Sequence, residues 1–288
     1  MISDITLGQF FPGNSPIHKL DPRTKLLLTV AFIVAVFLAN SPLAFFSLFL
    51  AVLTLVLASQ ISFKVILKGI KPIIYVLIFT ALINIFMTRG EGEPLISFYI
   101  IKIYKEGIIR AFFMAFRVIL LIIGTSVLLT YTTSPISLTD GIESLLSPLK
   151  KIGVPVHVFA MMMTIALRFI PTLIEETEKI MNAQKSRGAD FSSGSLIKRA
   201  KALIPLLIPL FVSSFKRADE LAIAMECRCY RGDKNRTKLV KLSYKPKDFL
   251  WFAFGILFIS LMIALRIIPQ HISGSISEEL FNFLFFKI

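Results

Sequence analysis

A series of apolar stretches, each long enough to cross a lipid bilayer as a helix, limits the fold of this 288-residue chain most. Hydrophobic residues make up 55% of the sequence and the mean hydropathy is +0.76, which exceeds what a soluble domain can bury. A helix needs about 20 residues to cross about 30 Å of hydrocarbon, or somewhat fewer when its end residues reach the interface. The sequence therefore predicts an all-α integral membrane protein with about five transmembrane helices, at 25–39, 42–59, 72–88, 108–132 and 249–269.

The chain divides into three regions by composition. Residues 1–132 hold an N-terminal segment and the first four spans, and residues 249–288 hold the last span and a tail. The intervening region, 133–248, is typical of a coupling domain built from amphipathic helices. Within it, the apolar runs 158–171 and 202–215 are short and interrupted by Arg or Pro, so they are either half-immersed segments or further passes.

The distribution of basic residues orients the protein. Of the 32 Lys and Arg residues, 19 lie in 133–248, and this region shares a side with the basic segment 60–71 when the spans alternate. By the positive-inside rule, we expect the N-terminus and the 133–248 region to be cytoplasmic. The tail after the last span then lies outside, or along the membrane interface.

Several kinds of chemistry are disfavoured. The five spans hold no Asp, Glu or His, whereas proton relays and metal-dependent transferases need such groups. No G-x-x-x-x-G-K-[ST] phosphate loop is present. Arg117, about ten residues into the fourth span, is expected to bond backbone carbonyls of other helices or to line a partner surface. No cofactor is expected.

The two cysteines, Cys227 and Cys229, are separated by one residue and are the only ones in the chain. The histidines lie far away in sequence, so we expect no metal site, and a disulfide between such close cysteines would be strained. The residues are better explained as small helix-packing side chains in a reducing compartment.

Two long amphipathic helices carry the most informative pattern, because the stripe on each leads to an arginine near the helix end. One stripe leads to Arg187, followed by Gly188 as a natural C-cap, and the other leads to Arg228. A guanidinium at the tip of a narrow helix suits a groove on another protein. The helix macrodipole and the basic cytoplasmic face are alternative reasons for such arginines. The stripes consist of Ile170, Leu173, Thr177, Ile180 and Gln184, and of Leu207, Leu210, Ser214, Ala218, Leu221 and Met225.

The stretches "AQKSRGADF" and "AMECRCYRG" resemble the two short arginine motifs of the transmembrane T component of energy-coupling factor (ECF) transporters. The resemblance extends along nearly the whole chain, from "SPIHKLDPRTKLL" through "TTSPISLTDGIESLLSPLKKIGVPVHVFAMMMTIALRFIPTLIEE" to the final span. The family motifs usually read Ala-Arg-Gly. Here they are Ser186-Arg187-Gly188 and Cys227-Arg228-Cys229, so the arginine is retained between small neighbours.

This resemblance implies a non-catalytic scaffold in the cytoplasmic membrane of a prokaryote. Its partners would be two ABC-type ATPases and a membrane-embedded, substrate-binding S component for a vitamin or micronutrient, with no nucleic acid. It implies two long, crossing helices whose terminal arginines, Arg187 and Arg228, sit in grooves of the ATPases. In the "LRFIP" stretch, Arg168 and Pro171 are candidates for secondary coupling, or are an interfacial cation and a kink.

Two other classes stay open from the residues alone. A pore-forming permease subunit of a conventional ABC importer would also dock ATPases, but it would need substrate-binding groups among its own helices. A membrane-embedded prenyl or phosphatidyl transferase would need paired acidic motifs to hold metal and pyrophosphate, and the helical regions offer scattered acids only.

Overall fold

A computed structural model describes residues 10–88, 96–98, 101–189, 191, 195–232 and 242–267. The regular secondary structure of these residues is helical apart from one short antiparallel pair of strands, β1 (Ile96–Phe98) with β2 (Ile101–Ile103). A π-helical segment, Ser126–Tyr131, continues α5. The helices are α1 Pro22–Leu38, α2 Pro42–Ser59, α3 Phe63–Ile70, α4 Ile74–Met87, α5 Lys105–Thr125, α6 Pro135–Leu145, α7 Val156–Ser186, α8 Leu196–Cys227 and α9 Pro246–Ile267.

The prediction of an all-α membrane protein with five spanning helices is confirmed, although the set of five differs. The helical stretches long and apolar enough to cross a membrane are 42–59, 63–87, 105–131, 156–186 and 246–267. The first predicted span corresponds to α1, which at 17 residues is one residue shorter than the shortest of these stretches. The stretch 156–186, which is α7, was not among the predicted spans. The third begins at residue 63 because Pro72 opens a 3₁₀ turn that continues α3 into α4.

The described residues form two compact units. The N-terminal unit contains residues 10–134 together with 242–267, and the middle unit contains the described part of 135–232. Within the N-terminal unit α1 contacts α5 and α9, α2 packs on α5, and α4 pairs with α5. Its core is apolar and closely packed, and its most buried members are Ile17, Val36, Leu48, Leu120, Val127 and Met262.

Buried polar contacts hold the start of α1 in this unit. Lys25 donates from Nζ to the carbonyl oxygens of Thr132, at 2.7 Å, and His18, at 3.3 Å. Asp248 accepts from the backbone N–H of Asp21, at 2.9 Å, and of Lys245, at 2.7 Å. These bonds tie α1 to the residues just before the chain leaves the unit and just after it re-enters. We call the hydrogen-bonded cluster around Lys25 and Asp248 the polar clamp. The stretch "SPIHKLDPRTKLL" supplies its N-terminal part.

The middle unit consists of long helices with little buried surface. Residues predicted as short apolar runs and separate amphipathic helices form two continuous helices, α7 of 31 residues and α8 of 32. Pro171 lies inside α7, and Pro205 and Pro209 lie inside α8. Each proline removes one backbone hydrogen bond without ending the helix. A hydrogen bond between Nδ1 of His157 and Oε1 of Glu143, 3.0 Å apart, joins α7 to α6.

Candidate docking site at two helix ends

The end of α7 is closed by a Schellman motif centred on Arg187. The Gly188 N–H donates to the Lys185 carbonyl at 2.9 Å, and the Ala189 N–H donates to the Gln184 carbonyl at 3.0 Å. Gly188 has φ +85°, which glycine adopts without steric cost. The predicted role of Gly188 in ending this helix is confirmed, and Arg187 occupies the C-cap position.

The end of α8 repeats the same backbone pattern around Arg228. The Cys229 N–H donates to the Glu226 carbonyl at 2.8 Å, and the Tyr230 N–H donates to the Met225 carbonyl at 3.0 Å. Cys229 takes the left-handed position with φ +56°, where the other motif has glycine. A side chain at such a position costs about 1–2 kcal/mol. The backbone of the α8 cap is therefore strained at Cys229.

The two arginines are also equidistant from a contact between the helices. Nη2 of Arg217 donates to Oε2 of Glu176 at 2.9 Å, which forms a partly exposed ion pair between α8 and α7. Glu176 lies eleven residues before Arg187, and Arg217 lies eleven residues before Arg228. Measured from this ion pair, α7 and α8 present their terminal arginines at equal distances along their axes. This pairing was not anticipated, although opposite charges 41 residues apart were visible in the sequence.

Both guanidinium groups are free to bind a partner. Arg187 and Arg228 are exposed, and their side chains make no hydrogen bond or ion pair with any residue that the structure describes. The flanking Ser186, Cys227 and Cys229 are exposed as well, and the Ser186 hydroxyl bonds back to the Asn182 carbonyl. Each arginine thus projects from a narrow, small-residue helix end.

The predicted stripes are half-buried along α7 and, at Leu210, Ser214, Leu221 and Met225, along α8 as well. All five stripe residues of α7 are half-buried, as expected for its inward face. On α8, Leu206 is buried whereas the predicted Leu207 is 51% exposed, and Arg217 rather than Ala218 lies on the inward face. The aliphatic stem of Arg217 enters this face while its guanidinium reaches Glu176.

The secondary candidates lie in different places. Arg168 and Pro171 are exposed on α7 and make no contact with the two arginine caps that the structure shows. Arg117 belongs to the N-terminal unit, where Nη2 donates to the Ala39 carbonyl and the guanidinium lies 5.3 Å from the centre of the Phe45 ring. The expectation that Arg117 bonds a backbone carbonyl of another helix region is confirmed.

No cluster of three or more His, Cys, Asp or Glu side chains that could hold a metal ion occurs among the described residues. Cys227 and Cys229, at the end of α8, belong to no such cluster in that described part of the chain. What this arrangement can supply chemically is two separate cationic hydrogen-bond donors, which suit binding to another macromolecule.

Comparison with known proteins places these features in a family. The profile of the family described as "Cobalt transport protein" (CbiQ) matches residues 13–239. The protein named "Energy-coupling factor transporter transmembrane protein EcfT" of Clostridium kluyveri is 54% identical over 267 residues, which cover 93% of this chain and 98% of that relative. The protein of the same name in Acidaminococcus fermentans is 53% identical over 265 residues, which cover 92% of this chain and 97% of that relative. The one in Bacillus subtilis is 49% identical over 248 residues, which cover 86% of this chain and 93% of that relative.

The all-helical fold with its apolar spans and these matches define a multi-pass membrane subunit of a transporter. The chain belongs to the EcfT family, the transmembrane components of energy-coupling factor transporters. A transporter membrane subunit fits a non-catalytic role.

Proposed function

We propose that this chain is the scaffold through which two ABC-type ATPases drive a membrane-embedded S component in vitamin or micronutrient uptake. One observation carries this proposal: two helices of the same unit end in the same hydrogen-bonded cap, and each presents an unpaired, exposed arginine. Two helix ends with the same cap and a terminal arginine are suited to binding two similar subunits, one at each end.

The proposed contact is electrostatic and directional. A planar guanidinium can make several charge-assisted hydrogen bonds to carbonyl and carboxylate oxygens at the base of a groove. Ser186, Gly188, Cys227 and Cys229 keep the helix ends narrow, so each arginine can enter such a groove. Movement of the ATPases would then displace the ends of α7 and α8. The Glu176–Arg217 ion pair, eleven residues before each terminal arginine, would link the two displacements. Arg168 and Pro171 are proposed as a second contact, and their substitution is expected to weaken coupling less than that of either terminal arginine.

The proposal places the helix ends and the N-terminus in the cytoplasm, where ATP is available. Nineteen of the 32 Lys and Arg residues lie in 133–248, which supports this orientation by the positive-inside rule. The nucleotide would be hydrolysed by the partner ATPases, with this chain contributing no catalytic residue.

Substitution of both terminal arginines tests the docking. We expect Arg187→Ala with Arg228→Ala to abolish co-purification of the ATPases, because removing one buried, hydrogen-bonded charge from an interface costs about 2–5 kcal/mol, or about 30-fold or more in affinity. Each single variant should show a partial loss. The measurement is the amount of ATPase retained per chain, together with substrate uptake in reconstituted vesicles.

The matched controls are Lys185→Ala and Glu226→Ala, exposed residues at the same position in the last turns of α7 and α8. These variants should retain the ATPases nearly as well as the unaltered chain. Undiminished assembly and full uptake in the double arginine variant would refute the proposed docking, provided that its thermal unfolding is unchanged.

A further inference from the structure

The N-terminal unit contains a second cationic feature, a recess of about 450 Å³ on the membrane-spanning helices. It lies where α1 gives way to α2 and where α4 and α5 pass beyond that turn. Arg110 and Arg117, seven residues apart on α5, both line it, together with the amide side chains of Asn40 and Asn84. The volume falls within the range of about 300–1,000 Å³ in which small-molecule ligands bind.

The described residues that line the recess carry positive charge without a counter-charge. None of these described residues is acidic. Arg110 is exposed and makes no hydrogen bond or ion pair with the part of the chain that the structure describes. Nε of Arg117 is buried and has no acceptor there, although its Nη2 donates to the Ala39 carbonyl. An anion with several oxygens would satisfy both guanidinium groups.

The position of Arg117 is set by the helix packing and not by its own flexibility. Its guanidinium lies over the Phe45 ring at 5.3 Å and is held by the end of α1. Arg110 is seven residues away, about 10 Å along α5 and on the same helix face. One cation is therefore anchored, while the other has a long, unattached side chain that can fold toward a ligand.

The recess also has apolar lining. Pro42 and Phe45 of α2 and Phe113 and Met114 of α5 lie beside the two arginines, and Met114 is exposed. A free phosphate would leave these side chains uncovered, whereas an amphiphile would cover them with its chains. Two cations beside the turn between α1 and α2, bordered by apolar side chains, match a headgroup and its acyl chains together.

We propose that the recess binds the phosphate of an anionic phospholipid headgroup between Arg110 and Arg117. Asn40 and Asn84 would donate or accept further hydrogen bonds at the headgroup, and the acyl chains would lie along the exposed faces of α2 and α5. This site is separate from the proposed docking of ATPases, because its residues all belong to the N-terminal unit.

The test uses the full chain purified from vesicles of about one part phosphatidylglycerol to four parts phosphatidylcholine. After washing in detergent, native mass spectrometry counts the lipids retained per chain. We expect phosphatidylglycerol to be retained selectively, and Arg110→Gln to lower its retention about tenfold, the effect of losing one charge-assisted hydrogen bond. Because Arg110 makes no hydrogen bond or ion pair with a described residue of the protein, this variant should unfold at the same temperature as the unaltered chain.

Arg266→Gln is the matched control, because it removes an exposed cation from the end of α9, another membrane helix. Equal loss of phosphatidylglycerol from the Arg110 and Arg266 variants would reduce the effect to general attraction and overturn the site. Arg117→Lys is a second variant, which keeps the charge but removes the planar fork, and it should also lower retention.

Two further arms separate the sources of the anion. Inorganic phosphate, added as the soluble probe, should fail to displace the lipid, and displacement at equal concentration would overturn the choice of a lipid. If Arg110→Gln releases another transporter subunit while lipid retention is unchanged, the recess is a protein contact, and the lipid proposal is wrong.

Discussion

The N-terminal unit and the middle unit bury their side chains in opposite ways. The N-terminal unit surrounds residues such as Leu48 and Val36, both fully inaccessible, and it also encloses the charged Lys25. In the middle unit, α7 buries only Val156 and Ala160 among its 31 residues, and Phe211 of α8 is 62% exposed. One unit thus contains its own core, whereas the apolar faces of the other need lipid or another protein to cover them.

This difference separates two roles within one chain. A unit with an internal core keeps its arrangement whatever surrounds it, while long helices with few internal contacts depend on their environment for position. The proposed ATPase contact lies on the second kind of unit. Substitutions in the two units should therefore differ in whether they change folding or assembly.

The largest expected effect is on core packing, and it tests the comparison directly. Leu48→Ala should lower the free energy of unfolding by about 2 kcal/mol or more, because it leaves a cavity among α1, α2 and α5. Phe211→Ala should change it by less than about 0.5 kcal/mol, because that ring has few neighbours in the chain. Thermal unfolding of the purified chains in the same detergent gives both values. Equal effects would show that the middle unit has a core of its own.

The next effect concerns the polar clamp. Lys25→Met should cost about 2–3 kcal/mol, because the carbonyls of Thr132 and His18 lose a charged donor in a buried place. Lys19→Met serves as the control, since Lys19 lies on the same segment but is exposed. A Lys25 variant as stable as the control would mean that water replaces the lost donor.

A smaller effect distinguishes the two helix caps. Gly188→Ala should destabilise the end of α7 by about 1 kcal/mol, because its φ of +85° disfavours a side chain. The reverse change, Cys229→Gly, should stabilise the end of α8 by about 0.5 kcal/mol, since relief of strain exceeds the added freedom of glycine in the unfolded chain. Amide hydrogen exchange in the last turn of each helix measures both. Changes of the same sign would contradict the shared cap geometry.

The smallest effect is that of the ion pair between α7 and α8. Glu176→Gln should cost about 0.2–1 kcal/mol, because the Arg217 and Glu176 side chains are 37% and 22% exposed and solvent screens the pair. The charge swap Glu176→Arg with Arg217→Glu should restore most of the loss. If the swapped variant has the same free energy of unfolding as Glu176→Gln, the contact between the helices depends on which side chain stands at each position and not on the attraction between the two charges.

Sequence patterns predicted some of these features well. Long uninterrupted apolar runs identified α2, α5 and α9, because an uninterrupted apolar run of this length is typical of a membrane-spanning helix and not of a soluble domain. Gly188 identified the end of α7, because a left-handed residue is what a Schellman cap requires. The same reasoning predicted Arg187 and Arg228 at helix ends, where the structure has them, while their docking stays a proposal.

Other features depended on tertiary contacts that the pattern does not encode. Arg168, Pro205 and Pro209 were interpreted as interruptions, yet α7 and α8 continue through them because a long helix tolerates a charged side chain or the loss of single hydrogen bonds. The clamp made by Lys25 joins residues more than 100 positions apart, so no local signal could indicate it. The inward position of Arg217 likewise depends on Glu176, which lies 41 residues earlier on another helix.

The exposed thiols on either side of Arg228 give this protein a built-in reporter. Cys227 and Cys229 are the only cysteines in the chain, so a maleimide or spin label attaches there without any engineered residue. Their modification rate measures how accessible that helix tip is to solvent at each stage of a nucleotide cycle. A transporter that shields the tip during part of the cycle would show it as protection from labelling, in the unaltered sequence.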